Sequence, residues 1–333
     1  MNTISRDRLA HLLAEEIERF DRQNPRSRAL HERAKAHLHD GVPMNWMVRW
    51  AGGFPLFVES AQGARFRDVD GHEIVDLCLG DTGAMTGHAP PAVLEAIRAQ
   101  LDRGLTFMLP TEDAIWVGQE LARRFGLPFW QFASTATDAN RFATRLARHI
   151  TGRPKVLVFN GCYHGTVDET FATLDKRGRV VPRAGNLGPP VDPSLTTSVV
   201  EWNDLAALES ALVPGDVACV LAEPVMTNVG IVHPEPGFHA ALRDLTRQTG
   251  TLLLLDETHT ISAGPGGCTQ AQSLEPDFLT LGKPIGGGIA AAVYGFTTDV
   301  AERIRRKTTV AFADTGGIGG TLAGNVDLQT TVG

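Results

Sequence analysis

The chain has 333 residues, 43% of them hydrophobic and 21% charged, with a formal net charge of −7. That length suits roughly two domains of about 150 residues. The composition is that of an ordinary globular protein, and the acidic balance argues against a nucleic-acid partner while leaving room for a small anion held by local donors. Four cysteines, Cys78, Cys162, Cys219 and Cys268, form no C-x-x-C pair, which speaks against zinc and disulfide frameworks and fits reduced thiols in the cytoplasm.

Residues 4–40 read as polar and helical, with Leu9, Leu12, Leu13, Ile17 and Phe20 on one face. The segment is either an arm for a partner subunit or a surface helix. Glu15, Glu16 and Glu18 break up its apolar residues, so it does not read as a signal peptide. Nothing in the chain approaches the roughly 18 apolar residues of a membrane span. His31, His37 and His39 read as surface histidines, because i, i+2 spacing splits a metal pair across helix faces. A Gly/Pro-marked region, 41–55, leads to a hairpin over 66–77 that turns at Asp70-Gly71.

From about residue 90 the pattern alternates. Helices are predicted at 91–102, 112–125, 138–150, 204–212 and 237–249, and apolar strands at 155–159, 217–222, 251–256, 278–281 and 291–296. Short, fully apolar strands separated by amphipathic helices predict a parallel sheet covered on both faces. Ligands of such sheets sit at the carboxyl ends of the strands. No internal repeat or low-complexity tract interrupts the pattern.

Two residues at such ends carry most of the chemistry. Asp256 follows four leucines, where a carboxylate is costly without a positive partner. It is either a partner for a protonated ring nitrogen or a structural strand-end acid. Lys283 lies in Leu-Gly-Lys-Pro-Ile-Gly-Gly-Gly (281–288), where partial burial would free its amine to attack a carbonyl and where glycines admit a ligand. Read alone, it is also an ordinary loop lysine. Together they supply what pyridoxal phosphate requires: an amine for the aldehyde and an acid for the ring nitrogen. Residues 134–140, Ser-Thr-Ala-Thr-Asp-Ala-Asn, open a helix and read either as an anion site or as a plain N-cap. Gly-Cys-Tyr-His-Gly (161–165) offers Tyr163 as a ring to stack on a flat cofactor, or as a core aromatic; His164 either orients the site or caps a loop.

With these motifs in order, the chain resembles the class III (subgroup II) aminotransferases of fold type I, and within them the glutamate-1-semialdehyde 2,1-aminomutase-like branch. The resemblance runs from about residue 41 to 325. It rests on Asp-Val-Asp-Gly (68–71), Thr-Gly-His-Ala-Pro (86–90), Gly-Cys-Tyr-His-Gly (161–165), Trp-Asn-Asp-Leu (202–205), Ala-Glu-Pro-Val (222–225), Asp-Glu-Thr (256–258), the Lys283 motif and Gly-Thr-Leu-Ala-Gly-Asn (320–325). It implies a mostly parallel, seven-stranded-type sheet with helices on both faces, plus an incomplete small domain. The implied divisions are 1–75 (arm and small-domain portion), 76–325 (large cofactor-binding domain) and 326–333 (a short tail where relatives continue).

The resemblance also implies roles. Lys283 would carry the Schiff base to pyridoxal 5'-phosphate, and Asp256 would bind the ring nitrogen. Tyr163 and Thr258 would flank the ring, and Asn228 would lie near the phenolic oxygen. Thr135, Ala136 and Thr137 would hold the phosphate. Thr321 would reach the phosphate of the other subunit in a homodimer with shared active sites. Arg49, in Met-Val-Arg-Trp, would take a substrate carboxylate, its fork matching that group in two hydrogen bonds.

The expected activity is transamination between a carboxylate-bearing amino compound and a keto or aldehyde acceptor, both small molecules, with no nucleic acid or membrane involved. One alternative is the aminomutase, although residues 44–49 lack the Ser-Pro associated with it; another is a truncated, non-catalytic remnant. The chain departs from the family pattern at Ala136, where a glycine is usual, and at Thr258, where valine is commoner.

Overall fold

A computed structural model describes residues 5–307 and 317–325; the 326–333 tail lies outside the described residues. The chain divides into two units, Met1–Leu79 with Thr86–Pro90, and Gly80–Met85 with Pro91–Gly333.

In the first unit the 4–40 stretch is two helices, α1 (Arg6–Gln23) and α2 (Pro25–Ala34). Pro25 ends the first because it has no N–H to donate and its ring clashes with the preceding turn. Asn24 closes α1, its side-chain amide donating to the Phe20 carbonyl at 2.8 Å. The α1 residues Leu9, Leu12, Leu13 and Ile17 are exposed. Asn45–Arg49 forms a short 3-10 turn that carries an exposed Arg49. Strands β1 (Val58–Gln62), β2 (Arg65–Asp68) and β3 (Glu73–Val75) make an antiparallel sheet in that order. The predicted hairpin is its β2–β3 part, and β1 is an addition. Asp70, at the hairpin turn, accepts the backbone N–H groups of Arg26 at 2.7 Å and Ser27 at 2.9 Å. It thereby satisfies the amides at the start of α2 that no intrahelical carbonyl reaches.

The second unit runs α3 (Pro91–Leu101), α4 (Glu112–Phe125), β4 (Phe129–Ala133), α5 (Ala136–Thr151), β5 (Lys155–Phe159), β6 (Ala172–Leu174), β7 (Val180–Pro182) and β8 (Thr197–Val200). It continues through α6 (Leu205–Leu212), β9 (Val217–Ala222), α7 (Phe238–Thr249), β10 (Leu252–Asp256), α8 (Gly267–Ala271), β11 (Phe278–Leu281), β12 (Ala292–Phe296) and α9 (Thr298–Lys307). Seven strands form one sheet in the order β4-β12-β11-β10-β9-β5-β8. All run parallel except β12, which is antiparallel to both neighbours. The mostly parallel sheet is thus as expected, with two strands, β4 and β8, that the sequence pattern did not reveal. A separate antiparallel pair, β6-β7, lies outside it.

Period-two alternation assigns the two faces of this sheet. On β11, Phe278 joins the cluster of Phe142, Leu146 and Ile150 from α5. Leu279 and Leu281 point the other way, into a second cluster with Val117, Leu121 and Phe125 of α4. Both faces are therefore covered, which is why β9 and β10 are buried at every position and read as unbroken apolar runs. Because β5, β9, β10 and β11 are parallel, their carboxyl ends lie along one edge. The antiparallel β12 pairs its first residue, Ala292, with Ala133 at the end of β4, which brings the start of α5 to that edge as well.

Candidate active site

At that edge lies a cavity of about 260 Å³, whose lining includes Thr135, Ala136, Thr137, Tyr163, His164, Glu223, Asp256, Thr258, His259 and Lys283. Each lies at the carboxyl end of a strand, β4, β5, β9, β10 or β11: Asp256 is the last residue of β10 and the others follow within a few residues.

Asp256 is 4% exposed and held by three donors. His164 Nδ1 lies 2.9 Å from Oδ2, Asn140 Nδ2 donates to Oδ2 at 2.8 Å, and the Thr258 N–H donates to Oδ1 at 3.0 Å. Asn140 is itself fixed, its Oδ1 accepting the Thr280 hydroxyl at 2.7 Å. Burial pushes against ionisation of Asp256, but His164, Thr258 and Asn140 outweigh it and keep the carboxyl below its usual range. Burial likewise opposes charge on His164; the neighbouring Cys162 and Asp256 reverse that and raise it. Asp256 and His164 are therefore paired in the cavity wall, each favouring the charged form of the other.

Lys283 follows Gly282 at the end of β11 and adopts φ +43°, a left-handed conformation disfavoured for side chains larger than glycine. Such strain concentrates at functional sites. Its Nζ lies 2.7 Å from His259 Nε2 and 3.2 Å from Asp81 Oδ2. Gly282 is required for space: a Cβ there would come 2.7 Å from the Ala136 Cβ. The lysine loop thus rests directly on the first turn of α5. Gly282→Ala should separate the two, costing about 1–3 kcal/mol of stability through overpacking. A thermal melt and a pyridoxal phosphate titration check this; an unchanged melting temperature together with unchanged affinity would contradict it.

The first turn of α5 presents the amides of Ala136 and Thr137 ahead of the first intrahelical bond. The Thr135 hydroxyl is already engaged, donating to Asp138 Oδ2 at 2.9 Å and accepting the Asp138 N–H at 3.2 Å. Thr137 Oγ1 accepts the Thr166 N–H at 3.1 Å. Gly165 packs so closely on this turn that a Cβ would fall 2.1 Å from Thr137 Oγ1. Tyr163 is half exposed, its ring edge-on to Phe171 at 6.3 Å.

Pyridoxal phosphate fits what these residues offer. An ionised carboxylate has about four acceptor positions; Asp256 uses three and lines the cavity, leaving one for a ring N–H. The Thr258 hydroxyl, also in the lining, is buried without a hydrogen-bond partner among the described residues. A buried polar atom of that kind is costly unless something in the cavity meets it. Lysine amine, acid and helix amides converge on one space of suitable size.

The cavity brings together seven of the nine residues expected to hold the cofactor. Asn228 is outside its lining and donates to the Gly161 carbonyl at 2.8 Å. Thr321 lies exposed in the turn 321–324. Arg49 belongs to the first unit. Sequence reasoning missed His259, Glu223, Asp81 and the part played by Asn140. His259 and Glu223 were accessible to a simple rule, since both closely follow a predicted apolar parallel strand. Asp81 gave no signal of its own. Among the described residues no cluster suited to a metal and no helix long and apolar enough to cross a membrane is present.

The sequence profile of the class-III aminotransferases matches residues 46–328. A glutamate-1-semialdehyde 2,1-aminomutase from Sorangium cellulosum is 39% identical over 316 residues, covering 93% of this chain and 70% of that protein. The crystal structure of a glutamate-1-semialdehyde-aminomutase from Pseudomonas aeruginosa PAO1 superposes with a TM-score of 0.96 at 52% identity, over 99% of this chain and 74% of that one. A lysine-to-alanine variant of that enzyme is known in complex with PMP. A β-phenylalanine aminotransferase from Variovorax paradoxus superposes with a TM-score of 0.83 at 27% identity, over 97% of this chain and 71% of that one. The fold, the cavity and these likenesses agree: the chain belongs to the class-III aminotransferase family and is a pyridoxal-phosphate-dependent enzyme.

Proposed function

We propose that the chain is a transaminase, moving an amino group between a carboxylate-bearing amino compound (an α- or β-amino acid) and a keto or aldehyde acceptor. One observation carries this reading: a single cavity has a lysine amine at its edge and a buried, charge-paired carboxylate in its wall. Bound pyridoxal phosphate supplies a carbonyl for the substrate amine and a ring that accepts electrons when a substrate C–H proton leaves. Lys283 holds and returns that proton at Nζ. Asp256, favoured in its ionised form and oriented by His164 and Asn140, would hold the ring nitrogen. The Ala136 and Thr137 amides, with Thr135, hold the phosphate at the positive end of α5. Tyr163 and Thr258 flank the ring.

The remaining assignments rest on the family resemblance and on residue chemistry. Arg49 would take the substrate carboxylate, and Asn228 would serve the phenolic oxygen. Thr321 serves the phosphate of the other subunit in a homodimer with shared sites. A cytoplasmic location suits the four free cysteines.

The names of the relatives favour a second reading, glutamate 1-semialdehyde aminomutation, which needs the same residues. The two are separated by substrate. Holoprotein is expected to respond spectrally to α- or β-amino acids and to pass their amine to an added keto acid. Turnover of glutamate 1-semialdehyde with no other donor or acceptor would move the assignment to the aminomutase. A cofactor-bearing protein inert in both assays would count against each.

A further inference from the structure

His259 has no part in the reading above, yet its Nε2 lies 2.7 Å from Lys283 Nζ, the shortest approach to that amine. The other ring nitrogen, Nδ1, lies 3.3 Å from Thr82 Oγ1. The Thr82 hydroxyl donates to the Asp81 carbonyl at 2.5 Å. A hydroxyl has one proton to give, so toward the imidazole Thr82 can only accept. That assigns the ring proton to Nδ1 and leaves the Nε2 lone pair facing the lysine.

The backbone that supplies these contacts is strained on both sides. Asp81 and Thr82 adopt φ +56° and +73°, and Lys283 φ +43°, left-handed values that side-chain-bearing residues seldom take. Left-handed backbone at three residues of one four-residue contact indicates that the surrounding fold holds the arrangement against local preference.

We propose that His259 is the proton acceptor for Lys283, a positioning residue that makes the amine competent to bind the cofactor carbonyl; this rests on Lys283 being the cofactor lysine. The Nζ–H bond of the ammonium breaks, its electron pair remains on nitrogen, and the proton joins Nε2. Thr82 keeps the Nδ1–H, so the product is an imidazolium with both nitrogens partnered. The charged groups facing His259 are Lys283, Asp81 and Asp256. Burial and the Lys283 charge lower the His259 pKa, while Asp81 and Asp256 act in the opposite direction. Proton transfer removes the Lys283 charge and leaves the two carboxylates, so the imidazole becomes a better base as the proton arrives.

The test is the rate at which stripped protein develops borohydride-sensitive visible absorbance on mixing with pyridoxal phosphate, followed against pH. In His259→Gln, which keeps a hydrogen bond but cannot take a proton, and in His259→Leu, loading at neutral pH is expected to slow by about a hundredfold. Both variants should converge on wild type in alkaline solution, where hydroxide rather than the imidazole takes the proton. Wild-type rates in His259→Gln at neutral pH would overturn the proposal, and so would a deficit that persists unchanged into alkaline solution, the signature of a structural role. Lys283→Ala is the control that separates the two readings: if it acquires the same absorbance, the cofactor assignment itself fails, independently of His259.

Discussion

Asp256→Ala is expected to lower stability by about 3–5 kcal/mol and to cut turnover by at least about a hundredfold. The stability loss follows from what remains: His164 keeps a buried charge without its partner, and Asn140 Nδ2 and the Thr258 N–H lose their acceptor. The turnover loss follows from removing the negative charge beside the ring nitrogen. Asp256→Asn preserves the volume and should fall between wild type and alanine in melting temperature.

The pH dependence carries a sign that can be checked. The Asp256 pKa is lowered in the fold from 3.8, so its contribution is fully present above that value and disappears as the pH falls below it. His164 is raised from 6.5, so its contribution is complete below that value and erodes as the pH rises above it. Denaturant titrations across pH should therefore show the largest gap between wild type and Asp256→Asn between about pH 4 and 6.5. A pH-independent gap would show that the pair is not ionised in the folded protein.

Lys283→Ala should abolish borohydride-sensitive absorbance and reduce amino transfer by about 10⁴-fold or more, while changing stability by no more than about 1 kcal/mol. The asymmetry reflects position. Lys283 is partly exposed at the cavity edge and supports no core packing, whereas Asp256 lies inside the sheet edge. An equally large stability loss in both variants would mean that Lys283 has a structural role not visible in its contacts.

The parts of this arrangement that were legible in sequence are those whose signal is local. Four leucines ending in Asp256, and Leu-Thr-Leu-Gly before Lys283, mark buried parallel strands with chemistry at their ends, and β10 and β11 occur there as neighbours. The five helices predicted between 91 and 249 also fell within about two residues of their predicted bounds, because their apolar spacing is set by the same faces that cover the sheet. Strand β4 was missed because Phe129–Ala133 is short and mixed, and is fixed by pairing with β12 rather than by its own pattern. Strand β8, at the sheet edge, pairs only with β5 among the described residues. The break at Pro25 was readable and passed over.

The contact between His259, Lys283 and Asp81 was not readable. His259 and Lys283 meet only because β10 and β11 are adjacent, and Asp81 arrives from a left-handed turn far away in sequence. Pairings of that kind depend on the folded backbone and leave no periodicity to detect.

The most direct test of the central claim, that Lys283 and Asp256 face one pyridoxal phosphate site, is to reduce the holoprotein with borohydride and map the phosphopyridoxyl group by peptide mass spectrometry. The account predicts a single modified residue, Lys283, with labelling strongly diminished in Asp256→Ala protein that remains folded. Label on any other lysine, or full labelling of Lys283 irrespective of Asp256, would contradict it.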